Sequence, residues 1–145
     1  AYRRQRQMCI RDSTNIGPWT YLRPGNEFGE DAKAGAFVEM KKAHIGNGTK
    51  VPHLSYVGDA QLGDHTNIGG GTITANYDGV HKNRTTIGSG CHVGAGNLFV
   101  APVEVGDNVT TGAGSVVRHA VPSDTMVYSE NTQHNVEGWK PAWER

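Results

Sequence analysis

Apolar residues recur along this chain every six positions. Ile16, Leu22, Phe28, Ala34 and Met40 form the first run. The register slips by one and continues at Ile45, Val51 and Val57, then slips again to Leu62 and Ile68. After an interruption it resumes at Ile87, Val93, Phe99, Val105, Thr111 and Val117. Glycine follows most of these anchors, as at Gly17, Gly35, Gly46, Gly69 and Gly94. A small residue often stands four positions after the anchor, as at Thr49, Ser55, Thr66 and Cys91, whereas Gln61 and Asn97 depart from that habit. A period of six fits neither an amphipathic helix nor an alternating strand. It fits a short strand and a tight turn, three to a coil, with parallel strands stacking coil on coil around one shared core. The expected fold is therefore all-β, a parallel β-helix of hexapeptide repeats.

Three stretches break the pattern. Residues 1–13, AYRRQRQMCIRDS, show no repeat and are read as a tail outside the fold, of native or foreign origin, with Arg3, Arg4, Arg6 and Arg11 as solvated charges. Residues 70–86, GGTITANYDGVHKNRTT, place polar residues where anchors are due and contain the turn formers Asn76, Asp78, Gly79 and Asn83. They predict a protruding loop, the kind of excursion that builds binding sites on a repeat scaffold. From Pro122 onward the periodicity is lost, and Trp139 and Trp143 suggest an arm lying on a neighbouring surface. The expected organisation is a tail at 1–13, a repeat domain at 14–121 and a C-terminal arm at 122–145.

Composition narrows the function classes. The 145 residues carry 14 Lys and Arg against 14 Asp and Glu, a formal net charge of zero, which gives no electrostatic reason to expect nucleic acid or an anionic membrane as partner. No apolar run approaches the ~20 residues of a membrane span, and the basic N-terminus lacks the apolar core of a secretory signal. Cys9 and Cys91, the two cysteines, read as free thiols of a reducing compartment. A cytoplasmic location is expected.

Five segments carry a more specific signal: LRPG (22–25), FVEMKKA (37–43), HLSYVGDA (53–60), NIGGGTITANYDG (67–79) and APVEVG (101–106). Together they resemble the acetyltransferase domain of the bacterial bifunctional N-acetylglucosamine-1-phosphate uridyltransferase/glucosamine-1-phosphate acetyltransferase family. The resemblance runs from about Ile16 to about Trp139 without a gap. It implies a left-handed coil, a homotrimer with sites between subunits, and acetyl transfer from acetyl-CoA to the amine of glucosamine 1-phosphate, a step toward UDP-N-acetylglucosamine and the cell wall. The family's uridyltransferase domain has no counterpart in this sequence, and magnesium is expected only there.

The same resemblance assigns roles. His53 matches the catalytic base, a residue type suited to accept a proton near neutral pH, and Glu39 would orient or polarise its imidazole. Arg23, Lys41 and Lys82 match the sugar-phosphate ligands, where guanidinium and ammonium groups meet a phosphate dianion. Tyr56, Asn67 and Asn76 would hydrogen-bond the sugar. Gly70, Asn76, Tyr77, Ala95, Ala113 and Glu130 fall where the family binds acetyl-CoA. Two of these depart from the pattern. Ala95 stands where many members carry a Ser that steadies the oxyanion, and Glu130 stands where relatives often have an Arg facing CoA phosphates, for which Arg118 is a substitute cation.

Other readings are open on the residues alone. A zinc enzyme of the γ-carbonic anhydrase type shares hexapeptide repeats, yet the histidine spacings here (9, 12, 16, 11, 27 and 15) lack its close pair, and no metal is expected. A non-enzymatic β-helix would keep the anchors and lose the HLSY and NYDG motifs. Another hexapeptide acyltransferase acting on a nucleotide sugar is the nearest enzymatic rival.

Overall fold

The structure is a computed structural model that describes residues 9–144, with the backbone alone described at Cys9. Its strands form a ten-stranded and a seven-stranded sheet, paired in parallel, and the only helical element among the described residues is one 3-10 turn at Ala142–Glu144. The strands fall into three ladders, one for each face of the coil.

The first face is built from β1 (Cys9–Ile10), β4 (Glu27–Phe28), the ends of β6 (Glu39–Ile45) and β8 (Tyr56–Leu62), β11 (Thr85–Ile87) and β14 (Val103–Val105). Its inward column reads Ile10, Phe28, Ile45, Leu62, Ile87, Val105 and Val121. The second face holds β2 (Asn15–Ile16), β5 (Lys33–Ala36), β7 (Lys50–His53), β9 (Asn67–Ile68), β12 (His92–Val93), β15 (Thr110–Thr111) and β17 (Met126–Val127). Ile16, Ala34, Val51, Ile68, Val93, Thr111 and Val127 line its interior. The third face holds β3 (Tyr21–Leu22), the starts of β6 and β8, β10 (Ile73–Ala75), β13 (Leu98–Val100) and β16 (Val116–Val117). Here the inward column is Leu22, Met40, Val57, Thr74, Phe99 and Val117.

Every anchor read from the six-residue period lies in one of these columns. The one-residue slips at Ile45 and Leu62 are the points where a coil takes 17 residues instead of 18 (Phe28↔Ile45, Ile45↔Leu62). Apart from Ile10 in the first coil, which is exposed, the columns bury their apolar side chains in one core, so the coils are held by stacked aliphatic contacts as well as by ladder hydrogen bonds. Polar side chains satisfy the backbone at the corners. Asn47, Asp64, Ser89, Asp107 and Ser123 form a vertical series in which each side-chain oxygen accepts a backbone N–H from the coil before it. Thr66 and Cys91 point inward and donate to Gly88 O and Gly106 O of the following coils. Cys91 is a free, buried thiol, and burial raises its pKa. The thiol of Cys9 lies outside the described residues, as do Arg3, Arg4, Arg6 and the rest of 1–8.

The solenoid extends beyond the expected bounds. β1 pairs with β4, so residues 9–13 belong to a coil and not to a tail. At the other end Val121 bridges to Val105 and β17 pairs with β15, which carries the ladder past Pro122 to Val127. The excursion is also shorter than 70–86. β10 sits in the third-face ladder, with Thr72 and Thr74 buried. The Thr74 hydroxyl donates to Gly58 O at 3.1 Å, and that of Thr72 to Gly69 O at 2.6 Å. A hydroxyl satisfied in this way fills an anchor position without a buried-polar penalty. The chain leaves the ladder only between Ala75 and Thr85.

Candidate functional site

On the third face the residues flanking each anchor point outward. Tyr21, Glu39, Tyr56, Ile73 and Leu98 form one outward series. Lys41 pairs with Gly58 in the next, and Arg23 joins it through a backbone bond from its N–H to Met40 O at 2.8 Å. The alternation of a strand thus brings side chains from successive coils together.

Arg23 Nη1 lies 3.6 Å from Glu39 Oε2, both about 40% exposed. Lys41 Nζ lies 3.5 Å from Asp59 Oδ2, and here both side chains are only 15% exposed. The same Asp59 oxygen accepts a hydrogen bond from Asn76 Nδ2 at 2.6 Å, and that amide also donates to the Tyr56 hydroxyl at 3.2 Å. Gly58 makes this convergence possible, because a Cβ there would run into the Tyr56 hydroxyl and stand 2.8 Å from Asn76 Nδ2. Arg23, Lys41, Tyr56 and Asn76, all expected from the sequence, therefore share one cluster. Asp59 was not singled out by sequence reasoning and sits at its centre.

The expected partnership of Glu39 with His53 is not formed. The carboxylate turns along its own face to Arg23, because Glu39 lies on the third face whereas His53 ends β7 on the second, paired with Ala36. The His53 side chain is exposed at the corner between those faces. Asn67 projects from the second face, in the ladder between Lys50 and His92, away from the third-face cluster with which it was expected to act.

Above His53 the corner narrows to almost nothing. Gly70, Ala95 and Ala113 succeed it, tied by bonds from Gly96 N to Gly70 O and from Gly114 N to Ala95 O, both 2.8 Å. A Cβ on Gly70 would lie 3.4 Å from that of His53. The residues that follow, Gly71, Gly96 and Gly114, have φ of 76°, 68° and 71°. Below His53 the same corner position carries Trp19, Phe37 and Leu54, with φ of 54°, 58° and 42°, and all three are exposed.

Asn76 begins the loop and is buried. The Asn83 N–H donates to Asn76 O at 2.7 Å, and Tyr77 bridges antiparallel to Lys82, closing the neck. Asp78 caps the tip. Its Oδ1 accepts the N–H groups of Val80 and His81, its Oδ2 accepts from Asn83 Nδ2, and these bonds hold its carboxyl below the usual range. Lys82 places its ammonium 3.8 Å above the Tyr77 ring. It also lines, with Lys42, His44, Asp59 and Arg84, a cavity of about 400 Å³ beneath the loop. Glu130 is exposed in the arm, and Arg118 is exposed after β16.

Known proteins are similar to this chain in sequence and in fold. The bacterial transferase hexapeptide family, defined by six repeats, matches residues 84–119. The bifunctional protein GlmU of Bifidobacterium longum is 94% identical over 142 residues, 98% of this chain and 31% of that protein. The chain is a GlmU-type hexapeptide-repeat segment. GlmU of Streptomyces griseus is 60% identical over 124 residues, 86% of this chain and 26% of its own length. The chain thus spans about a third or less of the GlmU proteins it matches. Solved structures share the fold at low identity. The acetyltransferase domain of PglB from Neisseria gonorrhoeae superposes with a TM-score of 0.69 at 23% identity, over 77% of this chain and 52% of that one. Perosamine N-acetyltransferase from Caulobacter crescentus, solved with CoA and GDP-perosamine, gives 0.68 at 21% identity, over 78% and 52%. No helix among the described residues of the GlmU-type segment is long and apolar enough to cross a membrane.

Proposed function

We propose that this chain transfers the acetyl group of acetyl-CoA to the amine of glucosamine 1-phosphate, giving N-acetylglucosamine 1-phosphate for UDP-N-acetylglucosamine synthesis in the cytoplasm. The observation that carries the reading is the third-face cluster, where the two cations Arg23 and Lys41 stand beside the hydrogen-bonding Tyr56 and Asn76. The near-identity to GlmU over almost the whole chain fits it. A sugar phosphate presents a dianion and several hydroxyls, and this set answers both.

His53 removes a proton from the substrate ammonium, so that the amine lone pair attacks the thioester carbonyl. The C–N bond forms, the C–S bond breaks, and the thiolate leaves to take up a proton. Acetyl-CoA supplies the activated acyl group. The corner formed by Gly70, Ala95 and Ala113 presents little side-chain bulk beside His53, which suits a thin acyl-pantetheine chain. Asn76 and Tyr77 would flank it from the loop. Ala95 offers only its backbone N–H to the oxyanion, a weaker arrangement than a hydroxyl. Glu130 opposes rather than attracts a CoA phosphate, and Arg118 is the nearer answer to that charge.

The third-face cluster on one side and His53 with Asn67 on the other lie on different faces of the solenoid. A homotrimer with sites between subunits accounts for this division, since a second copy can bring the missing face. Exposed Trp19, Phe37 and Leu54 supply apolar surface for such packing.

The test is CoA release with glucosamine 1-phosphate and with an amino-bearing nucleotide sugar, for the chain and for His53→Ala. Turnover on the sugar phosphate, falling about 100-fold or more in the variant, is expected for loss of a general base. Turnover on the nucleotide sugar alone would overturn the substrate, and equal rates for the two proteins would overturn the role of His53.

A further inference from the structure

Asp59 lies at the bend of β8, where the coil turns from the third face to the first, with φ of 48°. Aspartate is one of the few residues that enter this left-handed region readily. The bend aims the carboxylate back over the third face, where one oxygen, Oδ2, serves two donors on different coils. One is Lys41 of the coil below, at 3.5 Å. The other is Asn76 of the coil above, at 2.6 Å, the first residue of the loop. Through Asn76 the contact reaches the Tyr56 hydroxyl and the loop neck, where Asn76 O accepts the Asn83 N–H.

We infer that Asp59 is a positioning residue for sugar-phosphate binding, which fixes the Lys41 ammonium and the root of the loop relative to one another. This rests on the acetyltransferase reading above. Three of the proposed substrate ligands, Lys41, Tyr56 and Asn76, come from three successive coils; the parallel ladder fixes their backbones but not where the ends of their side chains meet. Lys41 has a long stem with many rotamers, and an ordered half-buried ion pair removes most of that freedom before the substrate arrives. The short charge-assisted bond to Asn76 is stronger than a neutral one and holds the loop closed at its base. Asp59 does this without touching the reacting amine: it shares Lys41 with the incoming phosphate and keeps the ammonium on the substrate side of the face.

The experiment compares Asp59→Ala, Asp59→Asn, Lys41→Ala and the double variant Asp59→Ala/Lys41→Ala in the full chain. For Asp59→Ala the KM for glucosamine 1-phosphate should rise about tenfold, with a smaller fall in kcat, as expected for lost binding rather than lost chemistry. In the Lys41→Ala background the same substitution should add less than about threefold, because contacting residues are not additive. Asp59→Asn keeps an oxygen for Asn76 and loses the charge for Lys41. It should leave KM raised and return hydrogen exchange at the Asn83 amide, accelerated in Asp59→Ala, to the parental rate. An unchanged KM in Asp59→Ala, a fully multiplicative double variant, or loss of exchange protection throughout β8 in both Asp59 variants would each overturn the inference. If the unmodified chain does not acetylate glucosamine 1-phosphate, the function reading fails on that result alone. Exchange at Asn83 in the free protein then still decides: acceleration confined to the loop upholds the link from Asp59 to the loop, and an unchanged rate removes it.

Discussion

The corner between the second and third faces is built twice over, and its two halves make opposite choices. In the lower coils Trp19, Phe37 and Leu54 occupy the left-handed position, and in the upper coils Gly71, Gly96 and Gly114 occupy it. The backbone conformation is the same. For a residue with a Cβ it costs roughly 1–2 kcal/mol, and for glycine almost nothing. The lower half bears that cost to hold large apolar side chains in solvent, at 73, 59 and 64% exposure, with the Trp19 and Phe37 rings stacked at 5.6 Å. That stack covers only one side of each ring, and the remaining apolar surface is what the proposed subunit contact would use. The upper half gives up the side chain at this position and leaves the corner bare, which under the proposed function is the channel for the acyl chain. His53 sits at the junction, with Leu54 beside it in sequence and Gly70 above it. Under the proposed function, one corner thus serves as a sticky ridge for a second subunit and a bare track for a slender ligand.

Exchanging the two choices tests this division. The largest effect is expected from Gly71→Leu. Gly96 Cα, at 3.6 Å, leaves room for a Cβ, so the fold should survive with a loss of about 1–3 kcal/mol from backbone strain. The channel would be filled, and the KM for acetyl-CoA should rise by about two orders of magnitude or more in steady-state assays. Full affinity in this variant would refute the channel. The reverse exchange, Leu54→Gly, should be gentler. Relief of the left-handed strain offsets the flexibility gained, so denaturant unfolding should move by no more than about 1 kcal/mol. Self-association measured by sedimentation should weaken, because the ridge loses a member. An assembly unchanged by Leu54→Gly would mean that the ridge faces another partner.

The smallest effect concerns the loop that flanks the channel. The Asp78 carboxyl is held below its ordinary value by bonds from the Val80 and His81 N–H groups. The sign follows: the capped carboxylate favours the ordered loop above the unfolded value of ~3.9, and that contribution fades as pH falls through the lower folded-state value. Amide exchange across residues 78–83 should therefore quicken relative to the solenoid only at strongly acidic pH. Asp78→Asn should remove the pH dependence.

Much of this was legible in the chain itself. The sixteen anchors from Ile16 to Val117 all fell into the three inward columns, because a narrow prism admits one apolar side chain per face per coil. Both solenoid ends left a signal that the reading passed over. Ile10 stands six before Ile16, and Val127 six after Val121, but basic residues and Pro122 concealed the pattern. The loop start was misjudged at Gly70 for a chemical reason. Thr72 and Thr74 look polar in a sequence, yet their hydroxyls are satisfied by backbone carbonyls inside the wall. Asp59 left no signal at all, since an acidic residue at a corner resembles any solvated one until the neighbouring coils bring Lys41 and Asn76 to it. The Glu39 carboxylate meets Arg23 and not His53, because a match to a motif does not tell which face a side chain occupies.

The pinched neck of the loop has a consequence for how such a scaffold can vary. With Asn83 bonded back to Asn76 and Tyr77 bridged to Lys82, the excursion departs and returns at nearly the same point. The coil that carries it is longer by eight residues than the one before it (Ile45↔Leu62) and by seven than the one after (Ile87↔Val105), yet Leu62 still stacks on Ile87 as if nothing intervened. Lengthening such a closed excursion costs little, roughly 0.6 kcal/mol for each doubling. The neck is therefore a natural graft point: a tip of different length or chemistry could be exchanged there to retune which acceptor is recognised, while the stacked prism beneath stays as it is.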